Sequence, residues 1–203
     1  AVTTKDNLLF VGGSPSTSPY SGWLSIFNID NPQNPTLVGT LELKHGNGTV
    51  HYISHLSTHN NKLFLIYKNN GSTLKNKFEI IDISNPASPK LEENNTSFTN
   101  NVSQVLGIAD LLYVSGSHGL SIIDISDLDA PSTIFENTDW KSYNTSLNRL
   151  VKQDDLLYYA SSEGLLLLDI SNIYSPAPIK TIDDSLAYEV KVADEKIFHN
   201  GPD

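Results

Sequence analysis

The chain alternates short apolar runs with polar turn clusters from end to end. The runs span four to seven residues and are rich in Ile, Leu, Val, Phe and Tyr. That length, composition and near-alternation predict β-strands. The clusters between them carry what tight turns need: Gly116-Ser-His-Gly119, Ser161-Ser-Glu-Gly164 and a series of Asn/Asp–Pro segments. No segment holds a helical period beyond about two turns. The predicted fold class is all-β.

The pattern repeats. Phe78-Glu-Ile-Ile-Asp-Ile-Ser-Asn-Pro-Ala-Ser-Pro89 recurs at Leu120–Pro131 and Leu165–Pro176, with a more divergent first copy at Leu24–Pro35. The closing prolines Pro35, Pro89, Pro131 and Pro176 step by 54, 42 and 45 residues. An aromatic motif precedes each copy, at Phe10, Phe64, Tyr113 and Tyr158, and occurs a fifth time at Phe198. Eight residues before each aromatic stands an apolar residue: Val2, Leu56, Val105, Leu150 and Val190. These five are expected to anchor the inner strand of each unit. The next strand carries the aromatic, the third Ile-Ile-Asp-Ile-Ser, and the outermost follows the proline.

A four-stranded unit of about 45 residues has the dimensions of a β-propeller blade. The repeats run approximately 1–43, 51–98, 102–139, 146–184 and, incomplete, 187–203. The chain 1–203 is thus expected to be a single partial β-propeller, four blades and half of a fifth. A half-blade leaves bare edges, which proteins avoid. Propellers have about four to eight complete blades. The expectation is part of a larger propeller of about six to eight blades, with closure through another copy of the chain as the alternative.

The residues Gly119–Asp127 and Ile80–Pro86 resemble the LVIVD repeat. That family is found mostly in bacterial and archaeal surface or secreted proteins and is read as a β-propeller. The resemblance covers nearly the whole chain and is strongest in repeats two to four. It implies a propeller in an extracellular, cell-surface or periplasmic setting. It implies no defined activity, because function lives in sites rather than folds.

Composition narrows the function classes. A formal net charge of −10 argues against sequence-independent nucleic-acid binding, which runs on dense Lys and Arg. No apolar run approaches the ~18 residues of a membrane helix. With no Cys, disulfides, thiolate metal sites and a cysteine nucleophile are excluded. With no Met, residue 1 is not expected to be the translation start. The 20 asparagines include six in glycosylation sequons, Asn47, Asn70, Asn94, Asn95, Asn101 and Asn144, a mild excess over chance.

Four polar residues immediately precede inner-strand anchors: His55, Gln104, Arg149 and Glu189. In a propeller this register lies near the mouth of the central channel. The four are candidates for a ligand ring, with Arg149, the single Arg, able to hold a carboxylate or phosphate bidentately. The competing expectation is a solvated, mutually paired ring. His51, His55 and His59 are spaced by four, but on a strand neighbours lie ~13 Å apart, too far to share a metal. Asp82, Asp124 and Asp169 recur at one register, with Asn28 in the first copy. A repeated calcium site would need several oxygens around each loop. The favoured role is an Asx-type hydrogen bond closing the turn, which Asn28 serves equally well. Long inserts at Ser14–Gly22 and Lys68–Asn76 are recognition loops or neutral surface insertions.

No nucleophile elbow, phosphate loop or HExxH motif occurs. The expected function is a non-catalytic extracellular binding or adhesion module for a surface protein or glycan, without a cofactor or metal. One alternative is a hydrolase or lyase acting on an anionic substrate at the channel mouth. The other is an architectural surface-layer or fibre component.

Overall fold

The computed structural model describes residues 1–13, 22–43, 51–69, 77–92, 102–128, 130–141, 150–183, 189–193 and 196–200. Among them every regular element is a strand, and consecutive strands pair antiparallel as meanders. The first sheet orders β1 (Val2–Lys5), β2 (Leu8–Gly13), β3 (Gly22–Asn28) and β4 (Thr36–Leu43). The second holds β5 (His51–His59), β6 (Lys62–Asn69), β7 (Lys77–Asp82) and β8 (Lys90–Leu91). The third holds β9 (Val102–Ile108), β10 (Leu111–Gly116), β11 (Gly119–Asp124) and β12 (Ser132–Asn137). The fourth holds β13 (Leu150–Gln153), β14 (Leu156–Ser161), β15 (Gly164–Asp169) and β16 (Ala177–Asp183). A two-stranded sheet, β17 (Glu189–Ala193) and β18 (Lys196–Asn200), follows.

Local chemistry sets each first hairpin. Its two-residue turn opens with a residue at positive φ: Asp6 at 53°, Asn60 at 49°, Ala109 at 51° and Asp154 at 50°. Asp and Asn tolerate this left-handed conformation, while alanine does so at a cost. The turn then fixes the register. Val2, Leu56, Val105, Leu150 and Val190 pair with Val11, Leu65, Val114, Tyr159 and His199, each the residue after the aromatic. The sequence spacing of eight is this ladder step.

The chain divides into two compact units, Ala1–Thr99 and Asn100–Asp203. The repeat pattern alone carries no such division. In the first unit Phe10, Leu24 and Ile26 pack on Leu56, Leu63, Leu65 and Ile81 of the next sheet. In the second, Tyr113, Leu120 and Ile122 pack on Leu150, Leu157, Tyr159 and Leu168. Tyr158 and Leu165 then pack on Val190. In each case the aromatic-bearing face of one sheet meets the anchor-bearing face of the next. Sheets covered on both faces need apolar residues at successive positions, so these strands read as runs rather than strict alternation. Each fully buried Leu, Ile or Phe contributes about 1.5–3 kcal/mol. Gly39 on β4 shows how close the approach is: a Cβ there would run into the Pro86 carbonyl in the turn of the second sheet.

The terminal sheets depart from the rule. Val2 is 63% exposed, although Leu56, Leu150 and Val190 at its register are buried. Phe198 is 55% exposed, although Phe10, Phe64, Tyr113 and Tyr158 are buried.

Candidate functional site

The expected ring residues follow a bulge in two of the repeats. In β5 the register shifts between Ile53 and His55, and the Ser54 Oγ donates to the Ile66 carbonyl at 3.2 Å. In β9 the ladder passes from Gln104 to Val102, leaving out Ser103. Bulges re-aim the side chains beside them. The Gln104 side chain is buried. Its Oε1 accepts the Leu150 N–H at 2.7 Å, and its Nε2 donates to the Leu150 carbonyl at 3.3 Å. The side-chain amide thus pairs with a main-chain N–H and C=O as a neighbouring strand would. It ties β9 to β13. Both ends of the Gln104 amide, expected in the ligand ring, thus bond to the backbone of Leu150.

The other candidates stand differently. His55 is half-buried in the first unit. Arg149 lies outside the described residues, and Glu189 opens β17 with its side chain outside them. All six sequon asparagines, Asn47, Asn70, Asn94, Asn95, Asn101 and Asn144, also lie outside, as do most of the two long inserts. β5 carries the three histidines on one strand, with the bulge falling between His51 and His55 and a regular ladder from His55 to His59.

The recurring Asp is a turn residue. The Oδ1 atoms of Asp82, Asp124 and Asp169 accept the N–H of Ser84, Ser126 and Ser171 at 2.9, 2.8 and 2.8 Å. Asn28 does the same for Asp30 at 2.8 Å. Hydrogen bonds from the serine hold each carboxyl below the usual range. For Asp82 and Asp124 the backbone N–H leads, and for Asp169 the hydroxyl leads. Charge from Lys62 and Lys90 adds to the effect at Asp82. The hydroxyl contribution accounts for the Ser in Asp-Ile-Ser. A second Asx bond follows in three repeats, where the Oδ1 atoms of Asn31, Asn85 and Asn172 accept the N–H of Gln33, Ala87 and Tyr174. Among the described residues no three His, Asp or Glu gather as a metal site.

Two aromatic features escaped the repeat pattern because they lie outside it. After β12 the chain crosses to the fourth sheet. There the Tyr159 hydroxyl donates to the Trp140 carbonyl at 2.7 Å, and the Ser162 N–H donates to the Lys141 carbonyl at 2.8 Å. On the first sheet, Trp23 pairs across the ladder with Gly13 and Glu42, and Ser25 with Thr40. These four side-chain-bearing residues share a shallow hollow at the β3–β4 face with Leu24 and Leu41.

Four-stranded antiparallel meanders that repeat in sequence and stack within each unit define an all-β repeat protein of propeller-like blades. The LVIVD repeat matches at residues 73–96, 107–139 and 153–184, and the chain belongs to the LVIVD-repeat family. No curated protein matches it. Among solved structures, the crystal structure of the computationally designed Ika8 protein superposes with a TM-score of 0.63 over 98% of this chain, at 11% identity. That likeness concerns fold alone. The chain spans about half of the designed protein, 54% of its length.

Proposed function

We propose that the chain is a non-catalytic extracellular binding module whose blades belong to a closed propeller of about six to eight blades. Its partner is a surface protein or a glycan. The contrast between inner and terminal sheets carries the closure. Val2 presents a bare anchor face and Phe198 a bare aromatic face, and those two kinds of face pack together between successive sheets. A further blade beside each would bury both. The non-catalytic part rests on the spent polar residues of the repeat, since Asp82, Asp124 and Asp169 close turns rather than pair across a cleft. The extracellular setting follows what the LVIVD resemblance implies.

The test is the intact mass of the protein in its native source beside the solution mass of this chain. A native mass well above that of 203 residues supplies the missing blades in one polypeptide. Equal masses with an oligomer in solution close the ring between copies, and favour the architectural reading. A monomer of 203 residues in both settings overturns the closure.

A further inference from the structure

We propose that the Val2 face of the first sheet receives a further four-stranded LVIVD-type blade that carries a side-chain amide just before its anchor, pairing with the main chain of Val2 as Gln104 pairs with Leu150. This blade deepens the closed-propeller proposal and depends on it. Residues paired across a sheet project to one side, so Val2 shares its face with Leu9, Val11, Trp23 and Phe27. In the second sheet the positions of Val2, Leu9, Val11 and Phe27 are held by Leu56, Leu63, Leu65 and Ile81. Those four are at most 5% exposed and pack on the first sheet. Val2 itself is exposed, and Leu9, Val11 and Phe27 are half-buried. The Val2 face thus has the apolar pattern of a contact between blades and lacks its cover.

The backbone specifies the occupant further. Ala1 and Gly12 exchange both main-chain hydrogen bonds, each at 2.9 Å. In an antiparallel ladder the next pair, Val2 with Val11, is then the non-hydrogen-bonded one, and the Val2 N–H and C=O point away from β2. β1 ends its sheet, so among the described residues no strand pairs with it on that side. Leu150 stands at the same register and is buried, and there the Gln104 amide takes both groups. A blade that covered Val2 would strip water from its N–H and C=O, and buried main-chain groups need partners. A planar amide holds a donor and an acceptor side by side and meets both. A carboxylate offers only acceptors, and a guanidinium or ammonium only donors.

That chemistry separates the occupant from a second copy of this chain. The bare aromatic face of a second copy is the one bearing Phe198, and the residue before its anchor is Glu189. A carboxylate at that place would accept the Val2 N–H but repel the Val2 C=O. The β17–β18 sheet also has two strands among the described residues, whereas the open face of the first sheet extends to Trp23 on β3 and Leu37 on β4.

The experiment uses the whole protein made in its native host, with Trp23 replaced by the photo-crosslinker p-benzoylphenylalanine. After irradiation and digestion, mass spectrometry identifies the cross-linked peptide. It should come from a repeat outside residues 1–203, and that repeat should carry Gln or Asn immediately before its anchor. Should the variant fail to fold, Leu37, 60% exposed on the same face, takes the photo-crosslinker instead. Hydrogen exchange on the unmodified protein gives the second readout. The Val2 N–H should exchange at least about tenfold more slowly in the native protein than in the isolated chain. A cross-link to residues 187–203 of another copy, or to a blade with no amide before its anchor, overturns the proposal and leaves the ring closed. Equally fast Val2 exchange in both proteins overturns the pairing, and if no cross-link forms either, the closed propeller falls with it.

Discussion

Gln104→Leu isolates the tie between β9 and β13. Leucine is close in volume, so the change removes hydrogen bonds without opening a large cavity. It strands the Leu150 N–H and C=O, which Gln104 meets at 2.7 and 3.3 Å in a buried setting. A typical bond contributes about 1 kcal/mol net, and a stranded buried group costs about 1–3 kcal/mol. The 3.3 Å bond counts at the low end, so the expected loss is about 2–3 kcal/mol in all. At about 2–4 °C per kcal/mol for a chain of this size, the melting point should fall by about 5–10 °C. Urea titration followed by circular dichroism measures the loss directly. Gln104→Glu adds a sharper readout. Its carboxylate still accepts the Leu150 N–H but faces the Leu150 carbonyl with no proton to donate. Burial and that carbonyl raise the new carboxyl above the ordinary value of about 4.3. A raised folded value means the contribution is whole below about pH 4 and is lost as pH rises through the folded value. Relative to wild type, this variant should be least impaired at low pH and most impaired at neutral pH. A Gln104→Leu protein within about 0.5 kcal/mol of wild type, or a flat pH difference for Gln104→Glu, would refute the tie.

Three further outcomes follow from the same geometry. Ala109 occupies a left-handed turn position filled by Asp6, Asn60 and Asp154 in the other repeats. Ala109→Asn or Ala109→Gly should therefore stabilise by about 0.5–1 kcal/mol in urea melts. The Ser115 Oγ is fully buried without a hydrogen-bond partner among the described residues, and the same register in the fourth sheet carries Ala160. Ser115→Ala should thus be neutral or stabilising by up to about 1 kcal/mol, and a clear loss of stability would mean the hydroxyl has a partner. The lowered carboxyls of Asp82, Asp124 and Asp169 contribute stability that is present above the ordinary value of about 3.9 and lost as pH falls through the folded value. Replacing all three by Asn keeps the turn acceptor, as Asn28 does, and removes the titration. The acid limb of stability between about pH 4 and pH 2 should then be shallower, which an acid titration by circular dichroism reads.

Strands, register and turns were legible because they are local. A strand repeats every two residues, a hairpin turn demands particular backbone angles, and an Asx turn is closed within two residues. Asp82, Asp124, Asp169 and Asn28 could be assigned from their neighbours alone, as could the pairing of Leu56 with Leu65. Gln104 could not. Its partner Leu150 lies 46 residues away, and nothing in a polar residue before an anchor separates a backbone tie from a ligand contact. Only the bulge at Ser103 and the approach of β13 make that choice. Trp23 was silent for the same reason. An indole beside a glycine is seen only when the ladder sets position 23 against position 13. The sequence by itself determined an all-β repeat with its register and turns, since those depend on the near neighbours each residue carries with it. Tertiary structure alone decided which side chains tie sheets together and which face solvent, since those depend on what the folded chain brings alongside.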